Sequence, residues 1–197
     1  MRRAAWSHIA ALAITGWLAT PAHAIDIETI DVRYENGLYK VRFIAELEAQ
    51  PASVVKVLKD YDHYPSLDSR IEASHLIASP PGTPPRLYTK LKGCLSRIFC
   101  RSMVRIETLG ESPGELTATA IPTLSDVQSS ITRTEWQPSP KGTRISYSLA
   151  LDPKFWVPAL FARRAMIDTM RSGTVTMFTS VERVARNLPA AEGNGKG

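Results

Sequence analysis

The clearest pattern in the chain is strict alternation. In LYKVRFIAEL, residues 38–47, the apolar Tyr39, Val41, Phe43, Ala45 and Leu47 interleave with Lys40, Arg42 and Glu46, and Ile44 is the one exception. A period of two predicts a half-buried strand. The residues before it read as a short lead. Pro51 then opens PASVVKVLKDYDHYPSL, in which Val54, Val55 and Leu58 make one apolar stripe. Proline suits a first helical turn, and Pro65 rules out a long continuation. A short helix ending near Tyr61 is expected.

Six further segments follow closely: RIEASHLIAS, RLYTKLKGC, CRSMVRIETL, ELTATAI, VQSSITRTEW and TRISYSLAL, with Pro, Gly, Ser and Asp clustered between them. Close spacing favours an antiparallel meander, because parallel strands need long crossovers. In the last segment Ile145, Tyr147, Leu149 and Leu151 alternate with Arg144, Ser146, Ser148 and Ala150. The pattern then changes. From about residue 158 to 187 Leu160, Ile167, Met170, Met177, Val181 and Val184 recur at helical spacing. Thirty helical residues reach about 45 Å, so a bend at Gly173 is expected. Residues 188–197 read as a disordered tail.

A twisted sheet of six to seven strands cannot leave its apolar face open. The expected architecture is therefore α+β: a curved antiparallel sheet wrapped around a long C-terminal helix. Space between the two, walled by apolar side chains, is a candidate ligand cavity.

The N-terminus changes where this domain is expected to work. Arg2 and Arg3 precede an apolar run of eleven residues, 9–19, and Ala22 and Ala24 give an A-x-A cleavage pattern. This predicts a cleavable secretory signal over residues 1–24, since a membrane span needs about 20 apolar residues. Residues 25–187 then form one domain, exported to the periplasm or beyond. Cleavage removes two cations, taking the formal charge from +5 to +3 (5 − 2). No run of like charge reads as a nucleic-acid arm, and no nucleic-acid partner is expected. Outside the cytoplasm thiols pair, and Cys94 and Cys100 end two successive strand segments. A structural disulfide is expected; a metal site would need more ligands, and a thioredoxin-like redox pair has C-x-x-C spacing.

The order of elements resembles the helix-grip, START-like (SRPBCC) superfamily, which includes polyketide cyclases and coenzyme Q-binding proteins. The resemblance rests on LYKVRFIAEL, the following ASVVKVLKDYDHYPSL, the stretch TRTEWQPSPKGTRISYSLALDP and the closing helix, and covers roughly residues 36–186. It marks Asp60, Tyr61, Tyr64 and Pro65, and the tract KFWVPALFARRAM resembles exported members. It implies a bound lipid, sterol, quinone, polyketide or hormone, and does not choose between carriers and enzymes.

Catalytic chemistry finds little support. His63 sits among Asp60 and Asp62, and His75 lies in a strand; neither is accompanied by a positioned nucleophile. Asp60, Asp62, His63 and Asp68 follow no recognised metal-ligand spacing. No phosphate loop, H-E-x-x-H or G-x-S-x-G occurs. No catalytic residue, metal or cofactor is assigned. Aromatic and methionine residues crowd the second half, and core packing accounts for most of them. The candidate ligand contacts are Tyr61 and Tyr64, Tyr147, Trp156, and Ile167 and Met170 on the inner helix face. Phe155, Trp156, Val157 and Pro158 suit a cavity cover, a transient membrane contact or a buried hinge. The reading that results is an exported binding or carrier protein for an apolar or amphipathic small molecule such as a lipid. The alternatives are a cyclase or hydratase acting on a similar ligand, and a ligand-free interaction module.

Overall fold

The computed structural model describes residues 25–94, 100–154 and 162–189. The expected signal, Trp156 with its neighbours, and residues 190–197 of the tail lie outside the described residues. One antiparallel sheet of eight strands has the order β1-β2-β8-β7-β6-β5-β4-β3. The strands are β1 (Asp26–Glu35), β2 (Leu38–Leu47), β3 (Ile71–Ile77), β4 (Arg86–Cys94), β5 (Cys100–Ser112), β6 (Glu115–Ala120), β7 (Val127–Ser139) and β8 (Gly142–Pro153). Between β2 and β3 come α1 (Pro51–Leu58), a 3-10 turn (Tyr61–His63) and α2 (Tyr64–Leu67); α3 (Ala162–Arg186) follows β8. The class is α+β helix-grip: a curved, open sheet with a long C-terminal helix.

The strand absent from the sequence reading is β1. Its link to β2 is Asn36-Gly37, with φ of 53° and 82°, and Glu35 pairs with Leu38 across it. Two successive left-handed residues make the tight hairpin turn that matches strand twist, and Asn-Gly is its strongest signal. The lead is a strand because this dipeptide folds it back onto β2. In β2 Tyr39, Val41, Phe43, Ala45 and Leu47 are all buried, as the alternation requires.

The interior is solid at one end and hollow at the other. Phe43, Leu47, Val54, Leu58, Ile145 and Val181 are among the buried residues of the solid core, which joins β2, β8, α1 and the C-terminal half of α3. Phe178 stacks on Phe43 with centroids 4.9 Å apart and meets Tyr147 edge-on at 5.3 Å. Tyr147 belongs to the hollow side, so Phe178 forms the partition.

Helix α3 is continuous through Gly173. Glycine leaves room there for a side chain from another element. A Cβ on Gly173 would stand 2.9–3.1 Å from the guanidinium of Arg70, which lies flat against the helix. Cys94 and Cys100 pair in register at the end of the β4–β5 hairpin and form a disulfide with an S–S distance of 2.07 Å. No described helix is long and apolar enough to cross a membrane.

Candidate functional site

The hollow half is a cavity of about 380 Å³ between the inner face of the sheet and the N-terminal half of α3. That volume lies within the range of small-molecule sites, roughly 300–1,000 Å³. Alternate residues of β5 build one wall: Arg101, Met103, Arg105, Glu107 and Leu109 all line it. At about 3.3 Å per residue the wall runs for roughly 26 Å. Leu87, Thr89 and Leu91 of β4, Thr132 and Thr134 of β7, and Tyr147, Leu149 and Leu151 of β8 continue it. The roof is one stripe of α3, Met166, Thr169, Met170, Gly173, Thr174, Met177 and Phe178, at the three- and four-residue spacing of a helical face. Exposed Gly93, Cys94 and Arg101 mark the rim at the disulfide end.

Within this apolar lining sits a buried charge pair. Glu107 is 2 % exposed and Arg105 16 %, with Nη2 of the arginine 3.6 Å from the carboxylate. Ser130 bridges them: Arg105 Nη1 donates to its hydroxyl at 3.3 Å, and that hydroxyl donates to Glu107 at 3.4 Å. Arg105 Nε is buried with no acceptor among the described residues. Burial pushes the Tyr147 phenol up to about 12, with Arg105 opposing the rise and Glu107 adding to it. Tyr147 therefore stays neutral. It remains half-buried because the cavity leaves one side of its ring open.

A second polar feature holds the roof down. Arg70 donates from Nε and Nη2 to the Asp68 carboxylate, at 2.9 Å and 2.6 Å, and from Nη1 to the backbone carbonyl of Thr169 at 3.0 Å. Both side chains line the cavity. Arg70 thus straps the start of β3 to α3.

The structure brings Tyr61, Tyr64, Tyr147 and Met170 together on the cavity wall. Tyr64 also donates to the carbonyl of Leu58 at 2.6 Å, and burial raises its pKa and that of Tyr61. Ile167 is off the wall: it packs against the small cluster of Tyr39, Ala120, Val127 and Leu151. Met166 and Met170 pack against the same cluster and also line the cavity. Trp156 lies outside the described residues. Sequence reasoning missed Arg105 and Glu107. In CRSMVRIETL the apolar Val104 and Ile106 suggest the inward face, and the structure has the opposite phase, with the odd-numbered charges inside. His63 is 73 % exposed and ion-paired with Asp60 at 2.7 Å, away from the cavity lining. Among the described residues no group of three His, Cys, Asp or Glu side chains is placed to hold a metal ion.

Comparison with known proteins agrees with this geometry. The family described as polyketide cyclase / dehydrase and lipid transport matches residues 39–182. No curated protein sequence matches the chain. Among solved structures, the STAR-related lipid transfer protein from Xanthomonas axonopodis is similar with a TM-score of 0.60 at 17 % identity, over 84 % of this chain and 100 % of that one. The Zhui aromatase/cyclase from Streptomyces sp. R1128 gives 0.60 at 12 % identity, over 79 % and 99 %. A START superfamily protein from Mycobacterium smegmatis gives 0.58 at 18 %, over 74 % and 98 %. At these identities the likeness is one of fold.

Proposed function

Because the chain belongs to the polyketide cyclase / dehydrase and lipid transport family, we propose that it is an exported carrier of an apolar or amphipathic small molecule, such as a lipid. The observation that supports this most is the cavity of about 380 Å³, whose largely apolar lining holds the Arg105–Glu107 and Arg70–Asp68 pairs. Its walls are mostly Leu, Met, Tyr and Thr, which take up an apolar body. Arg105 lines the cavity, and its charge is already balanced by Glu107. A neutral oxygen such as a hydroxyl or carbonyl fits beside this pair without placing a second anion next to the glutamate. The ligand is therefore an amphiphile with a neutral oxygen function within reach of Arg105. Two of the similar folds belong to proteins named for lipid transfer and for aromatase/cyclase activity, which fits a bound hydrophobic molecule in either trade.

Export follows from the expected signal at residues 1–24, and Edman sequencing of secreted protein starting at Ile25 would support it. Native mass spectrometry of the purified chain, followed by lipid extraction, tests carriage. A stoichiometric apolar ligand is the expected result; an empty chain that takes up no lipid from vesicles would defeat the proposal. The enzymatic reading draws on Glu107, Arg105 and Tyr147 lying in one cavity. Recovery of the bound compound chemically altered after incubation would favour it over carriage.

A further inference from the structure

Building on the carrier reading, we infer that Met103, Met166, Met170 and Met177 determine the cavity's specificity and make it broad: it accepts flexible-chain amphiphiles of several lengths. The chain contains five methionines, and every one after Met1 lines this cavity. Met166, Met170 and Met177 fall on one face of α3, and Met103 lies on the inner face of β5. Methionine thus stands on both the roof and the sheet wall. None of the four is among the fully buried residues of the solid core, which is built from Phe, Leu, Ile, Val and Ala. The division follows the chemistry of the side chains. Branched residues sit in few rotamers and hold a fixed shape, whereas methionine is unbranched, turns about three bonds and fills irregular space.

Rigid walls discriminate between chain lengths. Each methylene buried in a pocket of fixed length is worth about fourfold in affinity until the chain meets the end. Walls of methionine rearrange around a shorter or longer chain and flatten that dependence. Flexible methionine-rich surfaces serve the same purpose in binders of many partners.

The test uses 1-monoacylglycerols with decanoyl to hexadecanoyl chains, displacing the uncharged probe N-phenyl-1-naphthylamine from the purified full domain. For the unmodified chain the affinities are expected to stay within about fourfold across the series, against about fourfold for each methylene in a rigid pocket. Leucine matches methionine in volume and conserves the fold in most cores. The triple variant Met166→Leu, Met170→Leu, Met177→Leu is expected to favour one length by at least about tenfold, with thermal unfolding confirming that it is folded. Should the triple variant fail to fold, Met170→Leu alone is expected to steepen the series in the same direction. A sharply peaked series for the unmodified chain, or an unchanged flat one in the folded variants, overturns the inference while leaving carriage standing. Failure of probe and monoacylglycerols to bind, with an empty native mass spectrum, removes both.

Discussion

Arg70 and Gly173 occupy one another's space: a Cβ on the glycine would lie 2.9 Å from Nη2 of the arginine. The arginine meanwhile holds the Thr169 carbonyl one turn earlier in the same helix. Glycine in a helix costs about 1 kcal/mol relative to alanine, and here that cost secures the strap across the cavity. Gly173→Ala alone is expected to return little of it, because the guanidinium must move. In an Arg70→Ala background the same change is expected to yield the full stabilisation of about 1 kcal/mol. A double-mutant cycle by urea denaturation measures the difference; strict additivity would refute the coupling.

The Arg105–Glu107 pair makes a second cycle. Arg105→Met leaves the Glu107 carboxylate buried without its cation and is expected to cost about 3–5 kcal/mol at neutral pH. Adding Glu107→Leu removes the stranded charge and is expected to recover most of the loss. If the single substitution is silent, the pair is not the buried charge centre described above.

The disulfide closes a small ring, and its loss is expected to destabilise the chain by about 2–2.5 kcal/mol through loop entropy. Replacing Cys94 and Cys100 together with serine, and comparing denaturation midpoints with and without reductant, checks this. The double variant should show no response to reductant.

Glu182 is buried on α3, 6 % exposed at its side chain, and is ion-paired with Arg186 at 3.6 Å. Burial raises its pKa, partly offset by a backbone hydrogen bond from Glu48 and by Arg186, with the Glu48 charge adding to the rise. An acid whose pKa rises on folding favours the folded state only when protonated. Stability contributed by this group is therefore lost as pH climbs from the ordinary glutamate range through the raised value. Glu182→Gln is expected to lift Tm at pH 7 by about 2–4 °C, the shift that roughly 1 kcal/mol produces in a chain of this size. Near pH 4 the two proteins should melt together; an equal gain at both pH values would point to packing instead.

The exposed His63 carries a raised pKa because its ring hydrogen-bonds Asp60. Its proton NMR titration is expected to have a midpoint above 6.5 and to fall back towards it in Asp60→Asn. A midpoint indifferent to that substitution would remove the ion pair in solution.

Much of the fold was legible because β2 and β8 each bury one face, and a period of two records that directly. The same logic was not decisive on β5, whose inner face meets a cavity with a charge pair in it. There the apolar residues Val104 and Ile106 point the other way, and alternation gives the wrong phase. β1 went unread because its evidence is a two-residue turn, Asn36-Gly37, and not its own composition. Gly173 looked like a weakness in the helix, since periodicity cannot reveal an arginine arriving from residue 70. Tyr147 and Met170 could be placed on an inner face, but a face does not reveal whether the space before it is filled.

The pairing of β2 with β8, Tyr39 beside Leu151, governs when this molecule can come into being. An N-terminal hairpin waits unpaired on its inner edge until nearly the whole chain has been synthesised, and the roof arrives later still. Contacts so distant along the polypeptide slow folding and leave apolar strands uncovered in the meantime. Truncation within the final helix would leave the inner face of the sheet without its cover.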